Sequence, residues 1–76
     1  MITLDEFVKL VANEFEDTPE EVFNKDTHFR ELEEWGSLLA LSVISAVDDE
    51  LDVIITGADI RSCTTIEDLY NFILSR

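Results

Sequence analysis

The sequence predicts an all-α fold, a four-helix bundle of three main helices and one short helix. Three observations carry this. Helix breakers are scarce, with two Gly and one Pro in 76 residues. Apolar residues recur at helical spacing rather than in strand alternation. Threonines followed three residues later by an acid recur along the chain, a pattern that closes a first helical turn.

The first helix begins at Thr3, with Glu6 completing the box. Leu4, Phe7, Val8, Val11 and Phe15 form its apolar stripe, and the spacing predicts an end near Glu16 or Asp17. Thr18-Pro19-Glu20-Glu21 is a second start, with Thr18 as cap and Pro19 in the first helical position. Only Val22 and Phe23 follow, which predicts a single turn. The stretch from Asn24 to Gly36 is a long connection anchored by Phe29 and Leu32, and loops of that length in small domains are often functional. The central helix runs from Gly36-Ser37 to about Leu51, roughly 22 Å at 1.5 Å per residue. Its expected buried stripe is Leu41, Ile44, Val47 and Leu51, widened by Leu38, Leu39, Val43 and Ala46. Asp48, Asp49, Glu50 and Asp52 crowd its C-terminal end, where each opposes the helix dipole at a cost of about 0.3–1 kcal/mol at low salt. Val53-Ile54-Ile55 reads as an extended link that buries Ile55, and Thr56 to Ser62 as a short helix around Ile60. Thr64 or Thr65 caps the last helix, whose stripe is Ile66, Leu69, Tyr70 and Ile73.

A chain of this size supports one domain over residues 1–76, burying about 60% of its unfolded surface, which leaves little room for an enclosed catalytic site. No catalytic machinery is expected. Eighteen acidic residues against five basic ones give a formal charge of −13, which repels nucleic acid and anionic membranes and favours partners with basic patches. The one cysteine, Cys63, excludes an internal disulfide, and its apolar position predicts a small buried hydrophobe. No basic leader, signal-peptide core or membrane-length apolar run is present, which predicts a cytoplasmic monomer with no membrane insertion.

The informative stretch is Leu32-Glu33-Glu34-Trp35-Gly36-Ser37-Leu38. It sets a serine at the first position of a long helix, after a glycine and at the end of a long loop. Free amides and the positive dipole end at that point favour an anion on or near the serine. This stretch, the acidic Val47-Asp48-Asp49-Glu50-Leu51-Asp52, the link and start Ile55-Thr56-Gly57-Ala58-Asp59-Ile60, and Thr64-Thr65-Ile66-Glu67-Asp68-Leu69 resemble the acyl carrier proteins without a gap from Phe29 to the C-terminus, and the whole chain matches that family in length, charge and helix order. The resemblance implies an acyl-carrier-like bundle with 4′-phosphopantetheine covalently attached to Ser37. It implies a carrier that holds acyl or aminoacyl groups as thioesters for separate enzymes. The implied partners are a phosphopantetheinyl transferase, a loading ligase or acyltransferase, and a condensing or transferring enzyme. Docking is expected through Trp35, Leu38, Leu39, Asp48, Asp49 and Glu50. Phe29, Leu41, Val47, Ile55, Ile60 and Leu69 are the candidates for lining an acyl cleft. Carriers of fatty-acid, polyketide, nonribosomal-peptide and cell-envelope pathways share these features alike.

Two positions depart from the family pattern. Gly36 stands where an Asp commonly forms part of the signature read by the transferase, which bears on the efficiency of modification. Leu39 and Ser42 stand where many fatty-acid carriers have acids on the outer face of the helix, which points to a dedicated partner set. The competing reading is an unmodified carrier fold that acts as an acidic protein–protein interaction module. Asp48, Glu50, Asp52 and Asp59 fall at four ligand positions of a calcium loop, but Val53 replaces the required Gly and the last ligand is Asp rather than Glu. No dedicated metal site is therefore expected, only loose divalent binding that relieves repulsion. His28 has no nucleophile partner in sequence and reads as a hydrogen-bonded loop residue.

Overall fold

The computed structural model describes residues 2–76, and all its regular elements are helical, with no strand among the described residues. Helix α1 spans Leu4–Ala12, α2 Ser37–Leu51, α3 Gly57–Arg61 and α4 Ile66–Leu74, with 3₁₀ turns at Glu20–Val22 and Phe29–Glu31. The all-α expectation holds, with three main helices and a short one packed on a shared core of Phe7, Val11, Phe29, Val43, Val47, Ile55, Ile60, Ile66, Leu69 and Ile73.

Three of the four helices start as local chemistry requires. The Thr3 hydroxyl accepts from the Glu6 amide, and the Glu6 carboxylate accepts from the Thr3 amide at 2.9 Å. Thr56 and Asp59 repeat the arrangement in α3, and Thr65 and Asp68 in α4. Each pair satisfies amides that a helix start leaves open.

The structure shortens α1. It ends at Ala12 rather than near Glu16 or Asp17, and beyond the Asn13 cap the chain makes tighter bonds, Glu14 N–H to Val11 O and Phe15 N–H to Ala12 O. The cause lies outside the helix. A continued helix would need the Glu16 and Asp17 amides for its own carbonyls, but the Glu34 carboxylate takes both. The tightened turn also sets Phe15 against Phe23, with ring centres 4.9 Å apart. The single turn after Thr18 forms, one residue later than expected. Pro19 occupies the cap position, and the Thr18 hydroxyl donates to Glu34 instead of capping.

Phe29 anchors the long connection with no exposed surface, and Leu32 packs half-buried beside the core. The carbonyls of Lys25 and Thr27 accept from the Glu67 and Ile66 amides, so this connection also closes the start of α4. Arg30 Nε donates to the Cys63 carbonyl at 2.9 Å and fixes the connection to the α3–α4 junction. Cys63 is buried, and burial pushes its thiol up from the usual range.

Helix α2 has the expected length but a different inward face. Val43 and Val47 are fully buried, whereas Leu41 is 61% exposed. Leu41 and Val43 lie roughly 160° apart around a helix of 3.6 residues per turn, so they cannot share one buried stripe. Residues 38–47 are apolar nearly all round, broken only by Ser42 and Ser45, so spacing alone does not choose a face. Packing against α1 and α3 chooses it. Asp52 ends the helix in the left-handed region at φ 57°, a conformation Asp tolerates better than most residues. As expected, Ile55 in the following link is buried, and Ile54 is exposed.

Candidate functional site

Ser37 is the first residue of α2, and Gly36 is its cap. Gly36 is fully extended, with φ −174° and ψ −178°, and offers no side-chain bond to the helix. No acid stands in the first turn of α2, and the third position, where the other three helices carry Glu or Asp, is Leu39. The amides at this start therefore lack the partners that close the other three, and the positive dipole end faces outward. Ser37 is exposed, and among the described residues nothing engages its hydroxyl.

Two residues hold the approach to this point. The Glu34 carboxylate reaches back across the chain. Its Oε2 accepts from the Glu16 amide at 2.7 Å, and its Oε1 accepts from the Asp17 amide at 3.0 Å and the Thr18 hydroxyl at 2.8 Å. Burial pushes the Glu34 carboxyl upward, but the bonds from Thr18, Glu16 and Asp17 outweigh it and hold the group below the usual glutamate range. The next residue, Trp35, sets its ring edge-on to Phe29 at 5.3 Å and stacks on Phe15 at 6.2 Å. Gly36 then carries no such hold, since a Cβ there would meet nothing within 4 Å.

The expected docking residues divide. Leu38 is 80% exposed, and Leu41, one turn on, forms an apolar surface with it beside Ser37. Asp48, Asp49 and Glu50 are exposed at the other end of α2, roughly 17–20 Å away along the axis. Leu39 is half-buried against the core, and Ser42 lines the groove between α1 and α2, so neither stands on the outermost face. Trp35 is half-buried and packs its ring on Phe15 and Phe29.

Of the cleft candidates, Phe29, Val47, Ile55, Ile60 and Leu69 are packed in the core, and Leu41 lies outside it. The open groove between α1 and α2, about 640 Å³, is lined by Lys9, Leu10, Ser42, Ala46 and Asp49 among others and includes none of these six. Asp59 spends its carboxylate on the Thr56 amide, so it does not join the acids at the end of α2. Among the described residues no three His, Cys, Asp or Glu side chains are gathered as around a metal ion. His28 is exposed and pairs through Nδ1 with Glu31 at 2.9 Å, the loop role expected of it.

The start of α2 fits an esterified phosphate. It presents an open hydroxyl, helix amides free to face an anion, and empty space around the cap. The Glu34 contact is the part of the site that sequence reading missed. It joins segments 16–18 residues apart, and no local spacing signals it.

Residues 5–73 match the family model described as "Phosphopantetheine attachment site". No curated protein and no solved structure matches the chain. No helix among the described residues is long and apolar enough to cross a membrane.

Proposed function

The chain belongs to the phosphopantetheine attachment site family, whose members carry covalent 4′-phosphopantetheine, and on that footing we propose that Ser37 is the attachment residue of a single carrier domain spanning residues 1–76. The observation that carries this reading is the exposed Ser37 hydroxyl at the one α-helix start among the described residues that lacks a capping box. In the modification, Ser37 Oγ forms a bond to the β-phosphorus of coenzyme A. The hydroxyl proton passes to a base of the transferase, and the pyrophosphate bond breaks to release adenosine 3′,5′-bisphosphate. The new phosphodiester then lies where the α2 amides and dipole favour negative charge.

When bound, the arm supplies a terminal thiol that holds acyl or aminoacyl groups as thioesters. The chain itself catalyses nothing. It presents the cargo to a loading ligase or acyltransferase and to a condensing or transferring enzyme in the cytoplasm. Leu38 and Leu41 offer an apolar contact beside the attachment point. Asp48, Asp49 and Glu50 steer basic partner surfaces toward it, weakly and reversibly. A sheltered acyl chain would have to part the core at Val47, Ile55, Ile60 and Leu69, since all four are packed shut.

Incubation with coenzyme A and a broad-specificity phosphopantetheinyl transferase tests the reading. Intact mass should rise by one phosphopantetheinyl group, and Ser37→Ala should abolish the gain. If folded protein gains no mass with several transferases, the carrier reading falls and the acidic interaction module takes its place.

A further inference from the structure

We propose that Glu34 is the positioning residue for Ser37: by gripping the chain at residues 16–18, its carboxylate sets where the Ser37 hydroxyl stands when a transferase meets it. The inference rests on Ser37 as the attachment residue.

The geometry divides the work cleanly. One carboxylate oxygen takes the Glu16 amide, and the other takes the Asp17 amide and the Thr18 hydroxyl. Trp35 adds an apolar hold on Phe15 and Phe29. Two consecutive residues are thus fastened, one by polar and one by apolar contacts. Gly36 follows with no side chain and open space, and Ser37 is next. Upstream of α2, the position of the hydroxyl is therefore set by Glu34 and Trp35 together. Without the Glu34 grip, the approach segment keeps only its aromatic contact and samples more positions. Glu34 is not placed against the reacting atoms, so its loss lowers the fraction of molecules that present Ser37 correctly. The apparent dissociation constant for the transferase is the intrinsic one divided by that fraction, so binding weakens while the chemical step is left alone.

Glu34→Gln isolates the effect. It keeps the length of the side chain but has one acceptor oxygen. Whichever way its amide turns, an NH₂ group faces either the Glu16 amide or the Asp17 amide and Thr18 hydroxyl. With coenzyme A and the broad-specificity transferase, the KM for the unmodified carrier should rise about threefold to tenfold, matching a fall in the competent fraction to roughly 0.1–0.3, while kcat stays within about twofold. Trp35 fluorescence should shift, and amide exchange at Glu16 and Asp17 should quicken, in the same unmodified protein. Thr18→Val should fall between wild type and Glu34→Gln, and Thr18→Ser, which keeps the hydroxyl, should restore the wild-type KM. An unchanged KM in Glu34→Gln, with exchange at Glu16 and Asp17 accelerated, overturns the proposal. If Glu34→Gln does not fold, Thr18→Val decides, a raised KM supporting the proposal and an unchanged one ending it. If wild-type protein takes no mass at all, the attachment reading itself fails and the positioning role with it.

Discussion

Replacing Gly36 by Asp should stabilise the unmodified protein, and the structure allows the size of the effect to be worked out. Gly36 is extended, a conformation any residue adopts, and a Cβ there meets no atom within 4 Å. No steric cost opposes the change. An Asp in place of Gly at the cap gains a few tenths of a kcal/mol from the side-chain bond to the helix amides. A carboxylate at an N-terminus that has no acid in its first turn adds about 0.3–1 kcal/mol at low salt. Against these stands one further negative charge on a chain already at −13. The net should be about 1 kcal/mol, a rise in melting temperature of about 4–8 °C for a domain of this size. Circular-dichroism melts of the two unmodified proteins measure it. The gain should shrink in the modified forms, because the Asp carboxylate and the phosphodiester on Ser37 compete for the same amides and cannot add independently. Modification by the broad-specificity transferase should also be faster, since the substitution restores the acid of the family signature. A melting temperature unchanged or lowered in folded Gly36→Asp protein would refute the claim that the start of α2 lacks an anion.

Acidification should act in two stages. The Thr3 amide and hydroxyl hold the Glu6 carboxyl below its ordinary value of 4.5, the amides of Thr65 and Thr64 hold Asp68 below 3.8, and Glu34 stays low because its donors outweigh its burial. Groups with lowered folded values contribute most above the unfolded values and lose that contribution as pH falls through the folded ones. Melting temperature should hold or rise from pH 7 toward 5 as self-repulsion eases, then fall below about 4.5; a rise continuing to pH 3 contradicts this. Cys63 should resist thiol reagents in the native unmodified protein and react once the protein is unfolded, so native modified protein should titrate one thiol, that of the arm. Val47→Ala should cost about 1–3 kcal/mol in a denaturant melt. Leu41→Ser should change stability by no more than about 0.5 kcal/mol while weakening capture by a loading or condensing partner. Equal stability losses at the two positions would reverse the assignment of the buried face.

Local chemistry made the helix starts legible. Thr3 with Glu6 and Thr65 with Asp68 lie within one turn of each other, so their pairing is written in adjacent residues. The stripe of α4 was legible because Glu67, Asp68 and Asn71 fall between Ile66, Leu69 and Ile73 and mark the outward side. The face of α2 was not, because Leu38, Leu41, Val43 and Val47 are all aliphatic and only their neighbours decide which turn inward. Ser37 could be singled out because a glycine, a long loop and a long helix meet there. The grip of Glu34 on residues 16–18 could not, and that same contact moved the end of α1 and displaced the Thr18 cap. One long-range carboxylate thus accounts for two local misreadings.

The first turn of α4 borrows its closure from afar. Beyond Thr65 and Asp68, the amides of Ile66 and Glu67 give their protons to carbonyls of Thr27 and Lys25, roughly forty residues upstream. The closure of the first turn of α4 thus depends on the middle of the chain being seated against it, which predicts that these two stretches behave as one cooperative unit. Their amides should open together in exchange measurements, and a proteolytic nick between residues 24 and 28 should unravel the far end of the chain before it disturbs the near one.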